Sequence, residues 1–444
     1  MIRCDVAVLG AGPAGCIAAL QLGRAELDVV LIDPFKLPDD HLIESFPVSG
    51  AQLAEEIGIL ETICGLSEGP ASSINMLWRD VSERRTFGPS GPLLIRKQQL
   101  AIGLRSIASK YVKSLRATAR GSVICESGTV VSTSADDVHA KMIIDARGRR
   151  QTGESVHGLV AIPFSAQTDA KTDPQMHVEA HEGAWVWACR LADTTLSGNF
   201  FVDPSTAAGM SRESRREMVA DYSRDCAFPV LQDIQVHRPV FCGLSAAKDP
   251  VPELSMILIG DAALARDPIA SHGLIHAMRS GVHAAVATQT ILDPDFDSLA
   301  ARCFLRIKHQ EAVSAARAAT AKAYQDQSRY KTDFWRRRSS LVPITNLPKI
   351  LEGQVELAAP LTQAPMIDGN RIKWAPALKM PANSGFATQF GPISAAEIAA
   401  ACKSGATLQD IAERLANQHS TSIAFPVVEE LLKGGALVQA RRSA

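Results

Sequence analysis

The segment Gly10 to Gly15, G-A-G-P-A-G, constrains the fold of this chain more than any other. It follows an apolar run, I-R-C-D-V-A-V-L at residues 2 to 9, and opens a stretch with helical spacing at residues 13 to 24. Val29 to Ile32 is a second apolar strand, so the whole reads as a β-α-β unit of about 30 residues. Each glycine has its own reason. Gly10 permits the tight turn, Gly12 lets the backbone approach a pyrophosphate, and Gly15 lets the helix pack against the strand. Pro13 and Ala14 complete the turn, and the helix start presents N–H groups and a partial positive charge to the phosphates. Asp33 ends the second strand about 20 residues further on, where a carboxylate accepts ribose hydroxyls. The predicted ligand is a dinucleotide.

The rest of the chain predicts an α/β protein whose nucleotide-binding part is assembled from separated segments. Apolar runs at Lys141 to Ile144 and at Leu254 to Ile259 both end in functional turns, D-A-R-G and G-D. Residues 1–78, 96–156 and 246–300 are assigned to this Rossmann-like domain. Residues 79–95 and 157–245 carry short β-like runs such as A-W-V-W-A-C and form an inserted β-sheet substrate domain. A long charged helix is expected over 301–342, with Arg336 to Arg338 as a solvated cluster. Six prolines mark residues 343–385 as a linker. Residues 386–444 form a small winged-helix-like recognition domain, with Ser394 and Glu397 as a capping box and A-L-V-Q as a last strand.

Composition excludes several classes. The balance of 46 basic against 47 acidic residues gives no reason for a nucleic-acid partner, and no apolar run is long enough for a membrane helix. Nine cysteines without C-x-x-C spacing indicate a reduced, cytoplasmic setting and no metal site. His272 and His276 have ligand spacing but lack a third partner.

Residues 259 to 281, I-G-D-A-A-L-A-R-D-P-I-A-S-H-G-L-I-H-A-M-R-S-G, resemble the second FAD motif of the flavin-dependent aromatic monooxygenases and halogenases. The resemblance implies FAD, with Asp261 on the ribityl chain and Pro268 lining the flavin. It also implies that Ser271, His272, Gly273 and Leu274, where a helix begins, face the pyrimidine edge. H-L-I-E-S-F-P resembles the family's G-E-S segment, which places Glu44 and Ser45, with His41 nearby as a proton donor or base, at the catalytic edge. Arg96 or Lys97 stands where the family has a basic residue against FAD. Trp185 and Trp187 reproduce W-x-W of the halogenases and are either core aromatics or walls of an aromatic-substrate site.

Departures narrow the activity. No lysine occurs between Lys36 and Lys97, where halogenases carry one, and Cys189 and Arg190 replace Ile and Pro after W-x-W. The resemblance therefore implies hydroxylation of an electron-rich ring through a flavin C4a-hydroperoxide, with molecular oxygen as co-substrate. No second G-x-G-x-x-G is present, so NAD(P)H acts transiently or through a separate flavin reductase. Within the family, the chain resembles flavoproteins that dihydroxylate a peptidyl tryptophan during quinohemoprotein amine dehydrogenase maturation, which implies a peptide or protein partner. A reductase of the geranylgeranyl-reductase type and a non-catalytic FAD-dependent binding protein remain as alternatives.

Overall fold

The structure, a computed structural model, describes residues 1–125, 128–150, 155–156, 158–168, 173–225, 231–340, 354–383, 385–403 and 406–440. The opening motif folds as expected, into β1 (Ile2–Leu9), α1 (Pro13–Arg24) and β2 (Val29–Asp33). β1 pairs in parallel with β2 on one side and with Val138–Asp145 on the other, at the centre of a seven-stranded sheet. Strand Met256–Leu258 joins the far end of Val138–Asp145, also in parallel. The strands with G-A-G, D-A-R-G and G-D at their ends thus finish on the same side of one sheet. Burial on both faces explains their continuous apolar runs, with Val6, Ala7, Val8, Ile143 and Ile144 fully sealed.

A second, eight-stranded sheet carries A-W-V-W-A-C on Ala184–Arg190, between Gln175–His181 and Thr195–Val202. Val186 and Ala188 face a cluster with Val219 of the helix Arg212–Asp225, whereas Trp185, Trp187 and Cys189 face the opposite way. This sheet begins earlier than the sequence indicated. Ser73–Leu77 pairs in parallel with Gln175–His181, and it takes Glu83–Thr86 along as a hairpin. By compactness, both sheets fall in one unit made of residues 1–285 and 316–341.

The expected long helix over 301–342 is two helices, Ser298–Gln325 and Asp333–Ser339. In the segment between them Arg329 donates to the carbonyls of Leu77 and Ala180, contacts no local pattern reveals. Nor is the basic cluster wholly solvated. Arg338 is 2% exposed, stacks 4.0 Å from the Phe334 ring centroid and bonds to Asp203 and the Gly158 carbonyl.

The second compact unit comprises residues 286–315 and 342–444. Its helices Ala395–Ala401, Leu408–His419 and Thr421–Lys433 and strand Leu437–Gln439 lie in the segment expected to form three short helices and a last strand. The predicted linker does not survive in the described residues. Val355–Leu357 pairs with Leu437–Gln439, and Thr362–Asp368, Arg371–Met380 and Gly385–Ala387 form a three-stranded sheet. Pro365 lies on the edge strand and Pro376 where Arg371–Met380 has a neighbour on one side only, so neither removes a needed N–H donor. Leu378 and Met380 share a core with Ile398, Ile411 and Leu431, so the module starts well before residue 386.

Candidate flavin and substrate site

The turn at the end of β1 is shaped by backbone contacts. Gly10 has φ +100°, and a Cβ there would lie 2.6 Å from the Ala146 carbonyl oxygen; a Cβ on Gly15 would lie 1.9 Å from that of Gly10. Gly12 differs. Nothing lies within 4 Å of the place its Cβ would take, and no side chain caps α1, so the helix start opens onto free space beside backbone N–H groups. This is the cradle a pyrophosphate fills. Asp33 holds its far wall: one carboxylate oxygen accepts from Ala11 N–H at 2.9 Å and the other from Phe35 N–H at 2.5 Å, leaving lone pairs for a ribose.

Arg105 escaped the sequence reading. From the helix Lys97–Ala108 it donates to the Ala11 carbonyl at 3.1 Å, lies 3.8 Å from Asp33 and faces Phe35 at 5.5 Å. Its only trace in sequence is its place on the helix after the basic motif.

Two ion pairs converge further along. Lys97 contacts Glu44 at 2.8 Å, and Arg149 contacts Asp261 at 3.1 Å. Burial pushes the Asp261 carboxyl up, opposed by Arg149 and Lys97 and aided by Glu44, so all four charges feel one another. Glu44 in turn holds the Lys97 ammonium above its ordinary range. Arg149, one residue past D-A-R-G, was also missed, because only the fold carries that turn to Asp261. Arg96 and Lys97, the two basic residues expected against FAD, have different partners. Neighbours on the chain, they point apart, and Arg96 is occupied by Glu68 at 2.7 Å, Asp193 at 2.9 Å and Asp40 at 3.7 Å, away from the Asp261 cluster.

Beyond Asp261, Asp267 caps the short turn Pro268–Ala270, and Ser271 at φ +49° redirects the chain into the helix Gly273–Leu292. Ser271, His272 and Gly273 are exposed and Leu274 half-buried, so this helix start is open to a ligand. His272 Nδ1 contacts the Ala270 carbonyl. Gly281 lets this helix lie against α1, where a Cβ would meet the Ala14 carbonyl oxygen at 2.6 Å.

The three predicted catalytic residues separate. On strand β3 (Ile43–Phe46), Glu44 turns to Lys97 while Ser45 donates to Met176 Sδ at 3.6 Å. His41 lies before the strand, stacked on His237 with ring centroids 3.4 Å apart. Burial lowers both imidazoles from their ordinary value, and His237 lowers His41 further. It lines a cavity of about 550 Å³ with Arg96, Ser165, Gln167 and Arg216. His237 had no sequence signal, since its partner is almost 200 positions away.

The two tryptophans also part. Trp185 is 2% exposed and stacked on Phe201 at 3.8 Å, which makes it a core residue and removes it from the candidate substrate wall. Trp187 stays half-buried at the seam of two clusters, one with Ile43, Leu94 and Met176, the other with Phe201 and bordered by Ile269 of the Pro268–Ala270 turn. Directly across the ladder is Asn199, also half-buried.

No family model matches the chain. Its structure is similar to that of the peptidyl tryptophan dihydroxylase QhpG, essential for tryptophylquinone cofactor biogenesis, with TM-score 0.75 at 20% identity, covering 98% of this chain and 99% of that one. It is similar to CmlS, a flavin-dependent halogenase, with TM-score 0.79 at 17% identity over 99% and 98%. A digeranylgeranylglycerophospholipid reductase of Methanocella arvoryzae is 26% identical over 316 residues, 62% of this chain and 75% of the relative. The chain thus has the FAD-binding fold of the flavin-dependent hydroxylases and halogenases, and these likenesses support a flavin oxidoreductase. Three activities share that fold, so the choice among them rests on the site. The open cradle at Gly12, Asp33 and the Asp261 cluster fit FAD. Among the described residues no helix is long and apolar enough to cross a membrane.

Proposed function

We propose that this chain is an FAD-dependent monooxygenase that hydroxylates an electron-rich aromatic ring, the indole of a tryptophan in a peptide or protein. The observation that carries the reading is the half-buried pair Trp187 and Asn199, in register on the sheet face that borders the expected flavin turn. Reduced FAD, when bound, activates molecular oxygen and supplies an electrophilic oxygen atom. Trp187 offers a flat apolar face to an aromatic ring, and Asn199 an amide oxygen to its N–H. The apolar clusters around Trp187 exclude water. Asp261 and Lys97 hold the ribityl chain and ring edge, with Arg149 and Glu44 as their counter-charges. His41, kept neutral, accepts a proton at the rim of the neighbouring cavity.

Halogenation is set aside for lack of the lysine, since Lys97, the first after Lys36, is committed to Glu44. Electrons come from NAD(P)H directly or through a flavin reductase. The C-terminal unit is assigned to capture of the macromolecular substrate, in keeping with a likeness to the dihydroxylase that spans nearly the whole chain. Mass spectrometry of a tryptophan-containing peptide after incubation with reduced holoenzyme and isotopically labelled oxygen tests the reading. Incorporated label is the expected result. Product formed without oxygen would point to a reductase, and halogen incorporated from bromide buffer to a halogenase.

A further inference from the structure

Trp185, withdrawn from the substrate wall, lies on the same strand face as Trp187, two residues before it. Its indole N–H donates to the Tyr324 hydroxyl at 3.3 Å, and that hydroxyl donates to Asp267 Oδ2 at 3.4 Å. Asp267 Oδ1 accepts the Ile269 N–H at 3.0 Å and so closes the Pro268–Ala270 turn. Trp185 is 2% exposed, and Tyr324 and Asp267 are 1% exposed each. A carboxylate in such surroundings is costly unless it is paired and fully hydrogen-bonded. The charged and titratable groups that face it are Arg338 from the helix Asp333–Ser339, Arg149 from the turn Gly148–Arg150, Tyr324 and Cys242. Both arginines are engaged elsewhere, Arg338 with Asp203 and Arg149 with Asp261.

We propose that Asp267 is a positioning residue for the flavin: clamped by Tyr324 and Trp185, it fixes the turn that leads into the helix Gly273–Leu292, and its buried charge sets the flavin's reduction potential. Reduction adds negative charge to the flavin, and an ionised carboxylate in the adjoining turn opposes that addition, whereas a neutral one does not. Burial pushes Asp267 up to about 6, with the Ile269 N–H, Arg338, Tyr324 and Arg149 pulling the other way. The charge is therefore present at pH 8 and largely absent at pH 5. The same chain of bonds ties the turn to the strand that bears Trp187, so the flavin turn and the aromatic wall share one buried anchor. The inference rests on the chain holding FAD and is independent of which aromatic substrate it takes.

The test is the midpoint potential of the FAD holoenzyme, measured by dye equilibration from pH 5 to 8, with thermal denaturation as a check on folding. Wild type is expected to show a break in potential against pH near 6. Asp267→Asn should retain FAD, have a more positive potential than wild type at pH 8, and lose the break. Tyr324→Phe removes a donor that favours the carboxylate, so the break should move to higher pH. Equal potentials for wild type and Asp267→Asn at pH 8, or a break unmoved by Tyr324→Phe, would overturn the assignment alone. A folded wild-type protein that takes up no FAD would overturn it together with the proposed function. Should Asp267→Asn fail to fold, the shift in Tyr324→Phe decides.

Discussion

The pyrophosphate turn and the C-terminal unit are built on opposite principles. At the turn, backbone presses on backbone: Gly10 against Ala146, Gly15 against Gly10, and Gly281 of a later helix against Ala14. In the C-terminal unit, Ala395–Ala401 and Leu408–His419 carry side-chain caps at their starts, and the helices pack through small apolar residues such as Ala395, Ala412 and Ala424. Rigid contact between backbones admits no intermediate response, whereas capped helices lose stability in steps. One region should therefore fail abruptly and the other by degrees.

Gly15→Val should give the largest effect. Its Cβ would lie 1.9 Å from the Gly10 oxygen, and neither backbone can withdraw without breaking the β1–α1 packing. A loss of about 4 to 5 kcal/mol, at the far end of single substitutions, is expected from denaturant unfolding. Gly12→Val sharpens the contrast. With nothing within 4 Å of the new Cβ, the fold should persist while the cradle is filled, giving a colourless, folded protein. A full flavin complement in this variant would place the pyrophosphate elsewhere. Asp261→Ala comes next, with FAD affinity reduced by about 10- to 100-fold, or about 1 to 3 kcal/mol for a charged hydrogen bond. Unchanged affinity by fluorescence titration would remove Asp261 from the cofactor site.

The same division governs what the sequence discloses. The glycine turn, its flanking strands, Asp33, the Ser394 cap and the glycine stop after Lys433 follow from local chemistry, where each residue's reason lies within a few positions. Partners far apart in the chain leave no such trace. Arg149 reaches Asp261, His41 stacks on His237, and Trp185 meets Tyr324 only after the fold is made. Prolines misled for a related reason. Pro365 and Pro376 break a strand only if an N–H donor is needed at their positions, and whether one is needed depends on which neighbour the sheet supplies. W-x-W was ambiguous because both tryptophans share a face, and burial alone separates them.

The C-terminal unit should respond to acid well before the pyrophosphate turn does. Two bonds from Ser394, one from its hydroxyl and one from its N–H, and a contact with His419 at 2.9 Å hold Glu397 down at about 2 from its usual 4.5. A depressed carboxyl contributes stability that is fully present above its unfolded value. That contribution is lost as pH falls from about 4.5 toward 2. Hydrogen exchange in Ala395–Ala401 should therefore accelerate over this window relative to β1, and Glu397→Gln should flatten the difference. Equal acceleration in both regions would deny the cap its role.

The smallest effect expected is that of Ser394→Ala, about 1 kcal/mol, the usual worth of an N-cap side chain. Its value lies in coupling. The Ser394 hydroxyl both accepts the Glu397 N–H at 3.2 Å and donates to the Glu397 carboxylate at 2.5 Å, so each substitution removes part of what the other would. The double variant should then lose less than the sum of the singles, whereas Ser394→Ala combined with Thr407→Ala, at the separate cap on Asp410, should be additive within about 0.5 kcal/mol. Additivity in both pairs, measured by urea midpoints at constant m, would show that the two halves of the box act independently. The C-terminal unit would then owe its gradual response to its apolar core and not to its caps.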